Sequence, residues 1–241
     1  MKPVLSYTIW FSQRTGSTLL YKALESTGVA GIPGEWLTEP DPATFGYQDI
    51  RQMWQNGMTP NGVFGLKISS VKLDEWLRTF QKELLLPDGL SGPKIWEEAF
   101  PACKHIFMTR RNKVRLAVSW WRAIITGEWH RVHGLQPHQE EIVEKYSFDA
   151  INHLLVECTL REAAMEAFFA EEHIVPMTIV YEDFIRNYND TVMKVLSFLN
   201  ISTEAIQVAS PFYDPIADDI AEIWVQRFRK ERQAGWDNIA W

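Results

Sequence analysis

The chain has 241 residues, 46% of them hydrophobic and 23% charged, and a formal net charge of −7 at pH 7. That is the composition of a globular protein long enough for one large domain with a well-buried core. The net negative charge disfavours nucleic acid and anionic membrane surfaces as partners, so any phosphate recognition has to come from a local cluster of cations.

Residues 4–11 form an apolar run of β-branched and aromatic residues that ends in the polar turn 12–16, and residues 17–26 follow with apolar Leu19, Leu20, Ala23 and Leu24. The pattern predicts strand, loop, helix. Gly28 and Gly31 end that helix, and residues 32–37 become an extended segment or loop that carries Glu35 near the strand-to-helix turn. A second strand is predicted at 63–69 and a helix at 72–85. A third strand, 104–109, runs directly into Arg110-Arg111-Asn112 and a helix over 113–125. Helix 148–172, strand 174–180 and helix 188–199 complete the alternation, which implies an α/β fold of three layers around a central parallel sheet. The whole chain, 1–241, reads as a single domain. Two stretches break the rhythm, near 87–93 and 127–146, and both are expected to act as lids. Cys103 and Cys158 fall in a predicted strand and helix and read as buried, reduced thiols. With no apolar stretch near the ~20 residues that span a bilayer, the expectation is a cytoplasmic protein with no transmembrane segment.

In an open parallel sheet ligands bind beyond the carboxyl ends of the strands, and the first strand delivers Arg14-Thr15-Gly16-Ser17-Thr18 to that edge. Gly16 permits the backbone angles that turn amides toward an anion, Ser17 and Thr18 add hydroxyls, and a helix start adds free N–H groups. Taken alone the motif is equally an N-cap with a solvated arginine. It is not a Walker A loop, since the second glycine and the adjacent lysine are missing, which disfavours ATP hydrolysis. The second feature is the basic run from Arg110 to Arg122, in which Arg111 and Ser119 stand eight residues apart. These two residues clamp one anion if the chain folds back over the helix start; otherwise the run is an exposed basic helix face.

Together the two segments resemble PAPS-dependent sulfotransferases, where PAPS is 3′-phosphoadenosine 5′-phosphosulfate. Their phosphosulfate loop reads K/R-S/T-G-S/T-T and their 3′-phosphate motif has R-N with a serine eight residues after the arginine. The likeness is closer to the bacterial trehalose 2-sulfotransferase-like family, through residues 11–20, Thr27-Gly28-Val29-Ala30-Gly31, Pro33-Gly34-Glu35, Val63-Phe64-Gly65-Leu66-Lys67 and Thr109-Arg110-Arg111-Asn112-Lys113-Val114. It implies a P-loop-like sulfotransferase architecture, PAPS as co-substrate with PAP as product, and a carbohydrate or glycolipid acceptor. It further implies donor binding by Arg14, Thr15, Gly16, Ser17, Thr18, Arg111, Ser119 and Tyr181, with the tyrosine of Tyr181-Glu182-Asp183-Phe184 approaching the adenine. Catalysis falls to Arg14, Glu35 and Lys67: the histidine of a Lys-x-His strand is replaced by Ser69, and Glu35 takes the role of base. Glu35 has the plainer reading of a solvated or arginine-paired carboxylate, and Lys67 that of a buried ion pair. Gln13 stands where many relatives have proline. A homodimer is expected from the family alone.

Trp36, Trp54, Trp120, Trp121 and Trp129 fall in or beside the loops around the donor, where indoles suit sugar rings, with core packing expected for at least half. His130, His133 and His138 have no metal-site spacing, so no metal is expected. Arg227-Phe228-Arg229-Lys230 reads first as a solvated helix face. The rival readings are a non-catalytic PAP- or carbohydrate-binding module and a P-loop kinase.

Overall fold

The computed structural model describes residues 1–134, 143–214, 216 and 218–236. Its elements are β1 (Leu5–Phe11), α1 (Ser17–Ser26), α2 (Tyr47–Gly57), β2 (Val63–Ile68), α3 (Leu73–Glu83), α4 (Gly92–Ala99), β3 (Lys104–Thr109), α5 (Lys113–Thr126), β4 (Arg131–Val132), α6 (Phe148–Glu171), β5 (Met177–Val180), α7 (Tyr181–Phe184), α8 (Tyr188–Phe198), β6 (Tyr213–Asp214) and α9 (Asp219–Arg232). A single 3-10 turn, Val143–Lys145, precedes α6.

Four strands form one parallel sheet in the order β2-β1-β3-β5, the mixed α/β architecture expected from the alternation. From its second residue onward β1 is buried on both sides, as a central parallel strand must be. Its side chains alternate between two cores: Trp10 joins α2, α3, α4 and α6 on one face, while Tyr7, Ile9 and Phe11 join α1 and α8 on the other. A third apolar cluster lies between α5, α6 and α9.

The first core accounts for much of the tryptophan content. Trp10 packs 4.7 Å from Phe168 and 5.2 Å from Trp96, ring centroid to ring centroid. Each indole finds a polar partner, Trp10 Nε1 donating to His105 Nδ1 at 2.9 Å and Trp96 Nε1 to Thr8 Oγ1 at 2.9 Å. Burial keeps His105 neutral, with its pKa pushed down to about 4.

Among the described residues four helices lie outside the expected alternation: α2, α4, the one-turn α7 and α9. The segment near 87–93 leads into α4, and Ser91 Oγ and Gly92 N–H donate to Glu172 and Glu171 at 2.6 and 2.9 Å. Those bonds fasten it to the last turn of α6, just before β5 begins and so toward the opposite edge of the sheet from the Arg14 loop, rather than over that loop. Cys103 sits just ahead of β3 rather than within it, and both cysteines are free thiols. Among the described residues no helix is long and apolar enough to cross a membrane.

Candidate active site

The turn after β1 is built by local bonds. Thr15 is fully buried and its hydroxyl donates to the Ser12 carbonyl at 2.8 Å, so it holds the turn instead of facing the pocket. Arg14 and Gly16 both adopt left-handed backbone angles, φ +66° and +83°. At Gly16 this requires glycine for a second reason, because a Cβ would lie 2.8 Å from the Tyr181 ring. No side chain caps α1, and Ser17, Thr18 and Leu19 of its first turn line a pocket together with Arg14, Arg110, Arg115, Ser119, Arg122, Trp129, His130 and Tyr181. Free first-turn N–H groups add a partial positive charge to these arginines.

Arg14 is the hub. Its Nε donates to Ser119 Oγ at 3.0 Å and its Nη1 donates to the Trp129 carbonyl, which joins the turn to α5 and to the segment after it. Burial first, and then the neighbouring Arg110 charge, lower its pKa from the ordinary arginine value to about 10. Lowering a guanidinium means that the protein resists the cation there, and an anion brought into the pocket relieves that cost. Arg110 stacks on the Tyr181 ring at 4.6 Å, and its buried Nε has no hydrogen-bond partner. Arg122 is held by a bidentate pair with Asp218 at 2.7 and 2.6 Å, and Arg115 pairs with Glu222.

The structure does not bring Arg111 to this pocket. Its guanidinium forms a bidentate pair with Asp183 and remains more than half exposed, while its backbone N–H donates to Glu182 at 3.0 Å. Consecutive residues leaving a strand point to opposite sides, so the arginine turned inward is Arg110. Ser119, by contrast, lines the pocket and accepts from Arg14 Nε.

Beside the turn, Lys67 and Glu35 form an ion pair of 2.8 Å. Lys67 also donates to Thr18 Oγ1 at 2.9 Å and lies over the Phe11 ring at 4.9 Å. Its side chain is 4% exposed, and burial lowers its pKa against the opposing pull of Glu35. Glu35 reaches this position because residues 32–35 run alongside β2: Gly34 pairs in parallel with Leu66, and Lys67 N–H donates to the Gly34 carbonyl at 2.9 Å. Gly65 permits the approach, as a Cβ there would fall 2.8 Å from Pro33. The Glu35 carboxylate is 41% exposed and accepts from Thr38 Oγ1 at 3.2 Å. The ion-pair reading of Lys67 therefore holds, and the same lysine touches the anion loop.

Sequence reasoning weighed His130 only as a metal ligand and did not place it at the anion pocket. It lines the pocket with its ring 4.8 Å from that of Tyr213, held where β4 pairs antiparallel with β6. Its surroundings, with Arg14 and Lys67 adding to burial and Glu35 opposing them, lower its pKa to about 4. No local spacing distinguishes it from His133, which bonds Asp214 instead. The part of the 127–146 stretch that reaches the pocket is Glu128 to Arg131; residues 135–142, His138 among them, lie outside the described residues. Of the five tryptophans, Trp129 lines the pocket, Trp54 and Trp120 are buried, Trp36 packs against the first core, and Trp121 donates to the Lys145 carbonyl at 2.9 Å. In α9, Phe228 is buried, Arg227 lies over Tyr146 and pairs with Glu231, and it is Ala221 and Val225 that reach the pocket. Among the described residues no group of three or more His, Cys, Asp or Glu is placed to hold a metal.

Arginines and an uncapped helix start thus meet in one pocket at the carboxyl edge of the parallel sheet, with the Lys67–Glu35 pair joined to it through Thr18, an arrangement suited to holding an anion. The chain belongs to the Stf0 sulphotransferase family, whose model matches residues 6–231. It is 29% identical to the trehalose 2-sulfotransferase of Mycolicibacterium smegmatis, over 95% of this chain and 96% of that one. It is 30% identical to the trehalose 2-sulfotransferase of Mycobacterium tuberculosis, with the same coverage of both chains, 95% and 96%. The crystal structure of a sulfotransferase from Alicyclobacillus acidocaldarius superposes over 98% of each chain at 17% identity and a TM-score of 0.47, too loose a fit to bear on the assignment.

Proposed function

We propose that the protein transfers a sulfuryl group from PAPS to a hydroxyl of a carbohydrate or glycolipid acceptor and releases PAP. Arg14, Ser17, Thr18 and the first-turn amides of α1 take the phosphosulfate, Arg110 and Ser119 take the 3′-phosphate, and Tyr181 flanks the adenine. The acceptor oxygen attacks sulfur in line as the bridging bond to the 5′-phosphate breaks, and charge on that phosphate is met by Arg14 and the amides. The acceptor proton passes to Glu35. The observation that carries this reading is the Lys67 ammonium, which touches Thr18 of the anion loop and Glu35 at the same time. That contact supports a base one side chain away from the donor site and a role for Lys67 toward the sulfuryl oxygens. The trehalose specificity of the two relatives makes a disaccharide the first acceptor to try. A homodimer and a cytoplasmic location belong to the same proposal.

The test is label transfer from sulfur-labelled PAPS to trehalose and a panel of disaccharides and glycolipids, without added metal. Glu35→Gln is expected to lower kcat by ~10²–10⁴-fold, the contribution of a positioned base, with PAP affinity kept within threefold. A wild-type protein that binds PAP and transfers no label to any hydroxyl is a binding module instead. Full activity in the Glu35→Gln variant removes Glu35 as the base.

A further inference from the structure

Glu162 lies in the middle of α6, outside the pocket, and is the one acidic residue among the buried residues described. Its carboxylate is saturated by three donors. Ser12 Oγ donates at 3.0 Å, Thr109 Oγ1 sits 3.2 and 3.1 Å from its two oxygens, and Lys113 Nζ donates to them at 2.7 and 2.6 Å. Lys113 Nζ also donates to Thr109 Oγ1 at 2.7 Å, which leaves that hydroxyl's own proton for the carboxylate.

The location of those donors is what matters. Ser12 is the first residue after β1, two before Arg14. Thr109 is the last residue of β3, immediately before Arg110. Lys113 opens α5, the helix that carries Ser119. Each roots a segment that lines the anion pocket, and Glu162 is a single point to which all three are bonded. The adjacent Arg161 repeats the arrangement on the same turn, donating from Nη1 to Gln13 Oε1 at 2.6 Å. A buried carboxylate is a costly way to fill a helix position, since an apolar residue of similar volume often does as well or better. Once it is there, each partner is worth more than its share, because removing the acceptor strands two hydroxyls and an ammonium together.

We infer that Glu162 is a positioning residue for the donor site, fixing the Arg14 turn and the Arg110 turn at the separation from which both close on one anion. The inference rests on the function proposed above. It affects the donor side selectively: Glu35 and Lys67 hang from the 32–35 segment and β2, and neither is bonded to Glu162.

The experiment compares wild type with Glu162→Gln, Glu162→Ala and the double variant Lys113→Met/Glu162→Gln. It measures PAP affinity by calorimetry, KM for PAPS and for the acceptor, and thermal unfolding. Glu162→Ala is expected to weaken PAP binding about tenfold or more and to raise KM for PAPS in step, with acceptor KM within twofold. Glu162→Gln keeps one acceptor oxygen and falls between, and the double variant, which removes the ammonium left facing an amide, recovers part of the Glu162→Gln loss. A merely structural residue would lower Tm and leave the ratio of the two KM values unchanged, and that outcome overturns the inference. So does a folded Glu162→Ala with PAP affinity within threefold of wild type; if Glu162→Ala does not fold, Glu162→Gln decides by the same criterion. A wild type that does not bind PAP overturns the donor assignment itself, whereas a wild type that binds beside unaffected variants overturns this inference alone.

Discussion

Arg14→Lys keeps the charge at the centre of the pocket and removes the geometry. A guanidinium has five N–H donors in a fixed fork; here Nε goes to Ser119 and Nη1 to the Trp129 carbonyl, and the same side chain lines the pocket. A lysine has three donors on one nitrogen and cannot hold two anchors on different segments while also meeting an anion. The change therefore costs one or two charge-assisted hydrogen bonds at ~1.5–3 kcal/mol each. With about 1.4 kcal/mol per factor of ten, PAP affinity should fall by about 10- to 100-fold in calorimetry at fixed ionic strength. Stability should move differently. The free protein already resists the charged guanidinium, so Arg14→Met should abolish measurable PAP binding and leave the Tm of the free protein unchanged or higher. An Arg14→Lys variant with PAP affinity within threefold of wild type would refute the view that the guanidinium fork, rather than charge alone, builds the site.

Arg110→Ala should weaken PAP binding about 10- to 100-fold by loss of a charge-assisted contact, whereas Arg111→Ala, which removes only an exposed pair with Asp183, should leave it within threefold; equal losses in calorimetry would restore Arg111 to the site. His105 has a folded pKa of about 4 against 6.5 unfolded, so the unfolded chain takes up a proton first and stability falls as pH drops from 6.5 toward 4. The full effect is about 3 kcal/mol, and His105→Gln, which keeps an acceptor for Trp10, should flatten that part of the pH profile of denaturant unfolding. His130, faced by Arg14, Lys67 and Glu35, should titrate near 4 in the free protein by NMR and move upward when PAP offsets the two cations; an unmoved titration would place the nucleotide elsewhere.

What was legible in the chain was what local pattern encodes. The burial of β1 on both faces follows from a run that is apolar but for Ser6 and Thr8, and the Arg14 turn could be found because glycine, hydroxyls and a helix start must be adjacent to make such a site. The helix α2 carried a readable signal, since Ile50, Met53, Trp54 and Gly57 repeat at helical spacing and are buried together; α4 and α9 are short or highly charged, and their apolar faces declare themselves only against α3, α5 and α6. That Arg110 and not Arg111 lines the pocket shows the limit of spacing: a rule that counts eight residues to Ser119 fixes the distance along the chain, but the side of the sheet is fixed by the phase of β3. His130 and Glu162 were beyond any local rule. His130 is defined by a pairing between residues near 131 and 214, and Glu162 by bonds to Ser12 and Thr109, 150 and 53 positions away. Neither residue type nor neighbours in the chain announce such contacts. In this molecule the Arg14 loop proposed to hold the anion is therefore local and readable, while the groups proposed to aim it are long-range and are not. Substitutions at Glu162 should for that reason alter donor affinity while leaving every recognisable motif intact.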